Sequence, residues 1–298
     1  MATFYGFMEG YTDQYTPDLV KDNERIRAPK TPEEGYHLSE DLAEQAIRLV
    51  NRQHMVYPDN PFFLYFALGA GHAPHQAPKE YIDHYRGAFD AGWDEIREQW
   101  FANQKRLGIN PRNEFVKPWN ELTDDEKKVY ARYMEVYAGF LEHADAQIGK
   151  VVDYLKEIGE FENTVIVLLS DNGASAEGGK NGRGNQEKSL NLLEETNNVE
   201  LTLKHLEELG SSAYSNPHYP VGWANAGNTP FQWYKSWVHS GGVKDPLIVS
   251  YPKGIHAKGE IRNQYLHVID IAPTILDILG VDKPDHIKGI AQKPYHGA

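Results

Sequence analysis

The 298-residue chain contains no cysteine. That excludes disulfides, zinc–thiolate centres and thiol nucleophiles within it, and leaves its compartment open. No stretch approaches the roughly 18 to 20 continuous apolar residues that a membrane helix needs, so no membrane span is expected. Positive charge is scarce: 30 Lys and Arg stand against 43 Asp and Glu, for a formal net charge of -13. That balance argues against nucleic acid as a partner, which wants a basic face. An anionic ligand would have to be drawn by a local patch. There is no Gly-x-x-x-x-Gly-Lys pattern, so P-loop nucleotide chemistry is excluded. There is no internal repeat, and the length suits one large domain or two small ones.

What is present is an alternation of strand and helix signals, which argues an α/β fold. The run Thr164-Val165-Ile166-Val167-Leu168-Leu169 is β-branched and aliphatic and reads as a buried parallel strand. It ends on Ser170-Asp171-Asn172-Gly173, which sets a carboxylate beside a side-chain amide. Chemistry in open α/β sheets sits at the carboxyl ends of strands. Two further segments are expected at the same rim. One is Gly71-His72-Ala73-Pro74-His75-Gln76-Ala77-Pro78, after a strand predicted from Phe62 to Ala67. The other runs from Tyr234 to Gly242, before a strand predicted from Pro246 to Tyr251. Together they put oxygen ligands, histidines and a lysine on one edge, an arrangement suited to metal-assisted chemistry on an anionic ester.

Helix signals fill the intervals. Ser39 is expected to cap a helix reaching about Gln53, with Leu42, Ala46, Leu49 and Val50 inward. Thr123-Asp124-Asp125-Glu126 is a capping box that opens a long amphipathic helix. That helix carries Tyr130, Tyr133, Met134, Tyr137, Leu141, Ala144, Ile148, Val151 and Leu155 at helical spacing and is closed by Gly159. A last helix is predicted from Ile271 to Leu279, with Gly280 after it. Residues 90–122 and 174–233 read as long polar insertions, the second with a helix over 198–209. Insertions at a carboxyl rim shape substrate access.

These segments resemble the sulfatase family, in the arylsulfatase branch of the alkaline-phosphatase-like superfamily. The resemblance runs from Phe4-Tyr5-Gly6-Phe7 to Gln292-Lys293-Pro294. Its most specific pieces are Tyr11-Thr12-Asp13-Gln14-Tyr15, Pro61-Phe62-Phe63-Leu64-Tyr65-Phe66, the His72 to Pro78 motif, Ser170-Asp171-Asn172-Gly173-Ala174 and Gly241-Gly242-Val243-Lys244-Asp245-Pro246. It implies a mostly parallel sheet flanked by helices, incomplete over these residues, with a smaller C-terminal region beginning after about residue 254. Sulfatases carry a Cys or Ser followed by x-Pro-x-Arg, whose first residue becomes a formylglycine nucleophile. No Ser here fits; Ser215-Asn216-Pro217-His218-Tyr219 comes nearest and lacks the Arg. The family's paired N-terminal aspartates have no match either. Met1 is therefore expected to lie inside a sulfatase domain, with the nucleophile segment upstream of it.

The resemblance also implies roles. Asp171 and Asn172 would be metal ligands, their hard oxygens suiting Ca²⁺, or Mg²⁺, over a thiophilic ion. By themselves they read as an Asx turn closing a strand. His72 would contact the sulfate and assist the leaving group. Lys235 would pair with a sulfate oxygen, where the local alternative is a surface lysine among aromatic residues. His75 and His239 are weaker candidates for substrate binding. Lys244, His143 and Asp145 read as structural, and the acidic stretch Glu194, Glu195, Glu200, Glu207 and Glu208 as a solvated face. The expected activity is hydrolysis of a small-molecule or sugar sulfate ester. An enzyme of the same fold acting on phosphonate or phosphate esters is one alternative, and a non-catalytic fragment that binds anions is another.

Overall fold

The computed structural model describes residues 3–107, 117–185 and 199–294. Two compact units divide it, Met1–His256 and Ala257–Ala298.

In the first unit, β1 (Tyr5–Gly6), β2 (Leu19–Lys21) and β3 (Glu24–Ile26) form a small antiparallel sheet, with Tyr5 opposite Lys21 and Leu19 opposite Ile26. Helix α1 spans Leu38–Val56 and buries Leu42, Ala46 and Val50 as its spacing predicts. Its cap differs from expectation. The ring of His37, one residue before the helix, accepts from the Ser39 N–H at 3.2 Å. Ser39 lies inside the first turn with its hydroxyl buried, because an imidazole nitrogen serves as the capping acceptor as well as an oxygen does.

In the segment read as a polar insertion over 90–122, the described residues are largely helical and bury Trp93, Ile96, Trp119 and Leu122 in the core. After α2 (Lys79–His84), α3 runs from Gly92 to Arg106. Trp93 and Trp119 are buried edge to face at 4.8 Å. Gly92, at φ 81°, gives the backbone its left-handed entry to the helix, and a side chain there would strike the Trp119 ring. Helix α4, Asp124–Glu157, carries the core. Its capping box forms as predicted: Thr123 Oγ1 accepts from the Glu126 N–H at 3.2 Å, and the Glu126 carboxylate accepts from the Thr123 N–H at 2.8 Å. Tyr130, Tyr133, Met134, Ala144, Val151 and Leu155 are buried, whereas Leu141 is exposed. Gly139 admits α2, since a Cβ there would come within 2.8 Å of the Ile82 backbone. Gly159 ends the helix in the left-handed region, with the Glu160 N–H closing onto Leu155 O at 2.9 Å.

The strands depart most from expectation. β4 is Ile166–Leu169 and is partly exposed. After it come α5 (Val199–Lys204), α6 (Val221–Gly227), α7 (Ser240–Val243) and β5 (Leu247–Ser250). β4 and β5 pair antiparallel, Ile166 with Ser250 through Leu169 with Leu247. An apolar run announces a strand but carries no information on the direction of its partner. Residues 62–67, predicted as a strand, have no ladder partner among the described residues. They nevertheless alternate, with Leu64 and Phe66 turned inward and Phe63 and Tyr65 more than 80% exposed. Leu168, Leu169, Ile248 and Val249 are exposed as well. Unpaired backbone beside apolar side chains templates association. The 298-residue chain is therefore expected to self-associate with rising concentration, and Phe63→Lys to reduce this in light scattering. A single concentration-independent species would contradict it.

The second unit holds α8 (Ile271–Leu279) and the hairpin β6 (His286–Ile287) with β7 (Ile290–Ala291). α8 has the predicted bounds and closes on Gly280 at φ 62°, with the Val281 N–H donating to Leu276 O. Residues Glu194 and Glu195 lie outside the described residues, and the helix predicted over 198–209 is the shorter α5 followed by a 3-10 turn at Leu206–Glu208.

Candidate active site

His72 and Lys235, 163 positions apart, meet at 3.0 Å between Nε2 and Nζ. The tautomer follows from the neighbours. His72 Nδ1 lies 2.7 Å from Ala73 O, and a carbonyl only accepts, so Nδ1 carries the proton and Nε2 presents a lone pair to the lysine N–H. The Tyr11 ring stacks on the imidazole at 5.9 Å. Lys235 is held at both ends by one short loop. Its backbone N–H donates to Ala174 O at 3.0 Å, and its Nζ donates to Glu177 Oε2 at 3.1 Å. Glu177 Oε2 also accepts from Ser175 Oγ at 3.0 Å. Burial pushes the Glu177 carboxyl up, but the Lys235 and Ser175 hydrogen bonds outweigh it and hold it below the usual range. Two non-glycine residues flanking Lys235, Trp233 at φ 65° and Ser236 at φ 74°, occupy the left-handed region. Such backbone persists only where the surroundings over-determine it.

Glycines dock the two loops. A Cβ on Gly173 would meet Gly241 O at 1.7 Å, one on Gly241 would meet Trp233 O at 2.0 Å, and one on Gly242 would meet Trp237 O at 2.1 Å. Asn228 ties the seam. Its Oδ1 accepts from the Ala174 N–H at 2.7 Å and its Nδ2 donates to Trp233 O and Gly241 O at 2.6 and 2.9 Å. The loop after β4 thus carries Asp171, exposed, and Asn172, half-buried, at its start and Glu177 further along. Asp245, just before β5, has its carboxyl pushed up by burial and by the charge of Asp171.

The other candidates are held by different partners. His239 is exposed at the start of α7, against the rings of Trp233 and Trp237. His75 is 1% exposed, packed among Tyr137, His218 and Tyr219, and neither ring nitrogen has a hydrogen-bond partner among the described residues. Burial first, then the neighbouring His218 and His72, hold it well below the ordinary histidine range. His143 is buried against Glu40 at 3.1 Å, and Lys244 lies over the Phe231 ring.

A family model described as Sulfatase matches residues 1–281. The chain belongs to the sulfatase family. It is 37% identical over 261 residues to an uncharacterized sulfatase of Schizosaccharomyces pombe, covering 85% of this chain and 45% of that one. It is 32% identical over 297 residues to the arylsulfatase of Klebsiella aerogenes, covering 97% of this chain and 58% of the relative. The chain therefore spans about half the length of the curated sulfatases it matches. A solved structure, of BT4656 with its substrate D-glucosamine-2-N,6-O-disulfate, superposes with a TM-score of 0.53 at 19% identity, over 97% of this chain and 57% of that one. It supports the α/β, alkaline-phosphatase-like fold.

Sulfatases as a family use a metal ion. Asp171 and Asn172 offer the hard oxygens that suit one, but Ca²⁺ takes about six to eight ligands. Among the described residues no group of three or more His, Cys, Asp or Glu is placed to hold a metal. Sequence reasoning missed three parts of this candidate site: Glu177, Asn228 and a buried hub. In the hub, the Asp13 carboxylate accepts from the Tyr15 and Thr16 N–H groups and from the side chains of Gln76 and Asn216, while Gln76 Nε2 also donates to Ser215 O. The hub anchors the loop that carries His72. Its signal was the Tyr11 to Tyr15 motif, whose partners are distant in sequence.

Proposed function

We propose that these residues form part of a sulfuric ester hydrolase, an arylsulfatase-like enzyme in which Lys235 and His72 receive the sulfate group. The observation that carries this is the Lys235–His72 contact, held by strained backbone and by glycine seams. An ammonium is a compact point charge suited to one anionic oxygen. His72 Nε2 carries a lone pair while it accepts from Lys235, so it can assist a departing alkoxide or phenoxide once a proton has passed to it along that contact. Asp171 and Asn172 would hold part of a Ca²⁺ or Mg²⁺ ion, whose chemistry is to neutralise sulfate charge and orient the nucleophile. The substrate class is an aryl or sugar sulfate ester; the sulfated sugar held by BT4656 supports the second. His239 and His75 are kept as lesser candidates, the first at the exposed rim and the second behind the site.

A second reading has its own observation. The 298 residues contain no Cys and no Ser followed by x-Pro-x-Arg, so this chain alone would bind an anion without turning it over. Both readings require an anion at Lys235. Titration with p-nitrophenyl sulfate, followed by NMR, is expected to show saturable binding that Lys235→Ala and His72→Ala each weaken by roughly tenfold or more, as for a lost charged hydrogen bond. Binding indifferent to both substitutions would remove the site.

A further inference from the structure

The carboxylate of Glu177 rests on the cation assigned to the substrate. Lys235 Nζ donates to Glu177 Oε2 at 3.1 Å and to His72 Nε2 at 3.0 Å, which leaves one of its three N–H donors for an anionic oxygen. Glu177 is fixed where it stands. Its Oε2 accepts from Ser175 Oγ, and Ser175 Oγ accepts from the Glu177 N–H at 3.2 Å. The Lys235 backbone is bound to the same loop through Ala174 O. The imidazoles packed behind, His75 and His218, are held uncharged by burial, so they add no positive charge to offset the carboxylate. Arg183 and Glu177 act on His218 with opposite sign.

We propose that Glu177 is a specificity-determining residue, whose fixed negative charge beside Lys235 makes the site favour singly charged sulfate esters over doubly charged phosphate esters. This rests on the reading of Lys235 as the ester-binding cation. A sulfate monoester carries one negative charge near pH 8, and a phosphate monoester, with a second pKa of about 6, carries close to two. The two groups are nearly the same size and shape, so sterics cannot separate them. Charge can. Attraction to Lys235 and repulsion from Glu177 both grow with ligand charge, and at hydrogen-bond distance the pair is close to neutral as seen by a ligand. The second charge of a phosphate then gains little at the site and still loses its hydration. The half-exposed position of Glu177 screens the effect to roughly threefold to tenfold per unit of ligand charge.

The test is binding by the 298-residue chain near pH 8, followed by NMR, with three esters of one leaving group. These are p-nitrophenyl sulfate and p-nitrophenyl methylphosphonate, each singly charged, and p-nitrophenyl phosphate, doubly charged. The unsubstituted chain is expected to prefer the two monoanions. Glu177→Gln keeps an oxygen for Lys235 and removes the charge. It is expected to raise phosphate affinity roughly threefold to tenfold more than sulfate or methylphosphonate affinity, whereas Glu177→Asp keeps the original order. Glu177→Ala serves as a second neutral variant should the amide disturb the fold. Lys235-dependent binding with an unchanged phosphate-to-sulfate ratio in the neutral variants overturns the inference alone. Binding that Lys235→Ala leaves intact, or no binding, overturns the reading of the site and the inference with it.

Discussion

The 298-residue polypeptide, assayed with an aryl sulfate and excess Ca²⁺, is expected to show no turnover above buffer. Sulfate ester hydrolysis in this family proceeds through a nucleophile made from a Cys or Ser in a Cys/Ser-x-Pro-x-Arg segment, and these residues include none. In the proposed reading Lys235 and His72 would lower the energy of an oxyanion and a leaving group, but stabilising charge does not replace the group that attacks sulfur. The difference between chain and enzyme should therefore be nearly the whole rate enhancement rather than a fraction of it. Joining the same residues to a segment bearing Cys-x-Pro-x-Arg and the paired aspartates, and maturing the cysteine to formylglycine, is expected to give activity. In that form Lys235→Ala and His72→Ala should each cost about 10² to 10³ in rate, the size of one oxyanion contact. Robust hydrolysis by the 298 residues alone, unaffected by either substitution, would overturn the mechanism and the assignments together.

The parts of this molecule that were readable from sequence are those fixed by local chemistry. The Thr123–Glu126 box, the α8 bounds and the Gly159 and Gly280 terminators depend on a few adjacent residues. That His72 and Lys235 share one rim was expected from their places beside strands, whereas their roles came only through the resemblance, since no local rule joins residues so far apart. What escaped was set by partners distant in sequence. The direction of β4 depends on β5, some eighty positions later. Trp93 and Trp119 read as parts of a polar insertion because the charged residues around them outnumber them, yet their burial area decides the packing. Glu177 looked like loop, since its meaning comes from Lys235 alone. The His37 cap went unread because an aromatic ring is not among the residues that capping rules name.

Acid is expected to unfold this chain well above the pH at which its carboxylates titrate. Four histidines are buried at 2% exposure or less: His37, His75, His143 and His218. They form two ring-to-ring pairs, His37 with His143 at 4.4 Å and His75 with His218 at 5.1 Å. Burial is the chief cause that pulls them down, to about 3 for His37 and His218 and about 4 for His143, from an ordinary 6.5. His75 goes the same way, with His218 as a second cause. The unfolded chain binds these protons near pH 6.5, while folded His37, His143 and His218 refuse them until pH 3 to 4. Stability is therefore full above pH 6.5 and falls as the pH drops through that window. At about pH 5 each such histidine costs on the order of 2 kcal/mol, from roughly 1.4 kcal/mol per pH unit below 6.5. Three of them together approach the whole stability of an ordinary domain, about 5–15 kcal/mol. Urea melts between pH 8 and 4.5 should show the midpoint collapsing between about pH 6 and 5. His218→Phe, placed among Tyr219 and His75, should flatten the slope by roughly a quarter, since one of four groups no longer takes a proton on unfolding. A midpoint that holds from pH 7 to 5 would mean that these imidazoles are protonated in the folded chain, as the Glu40 carboxylate 3.1 Å from His143 would favour for that one.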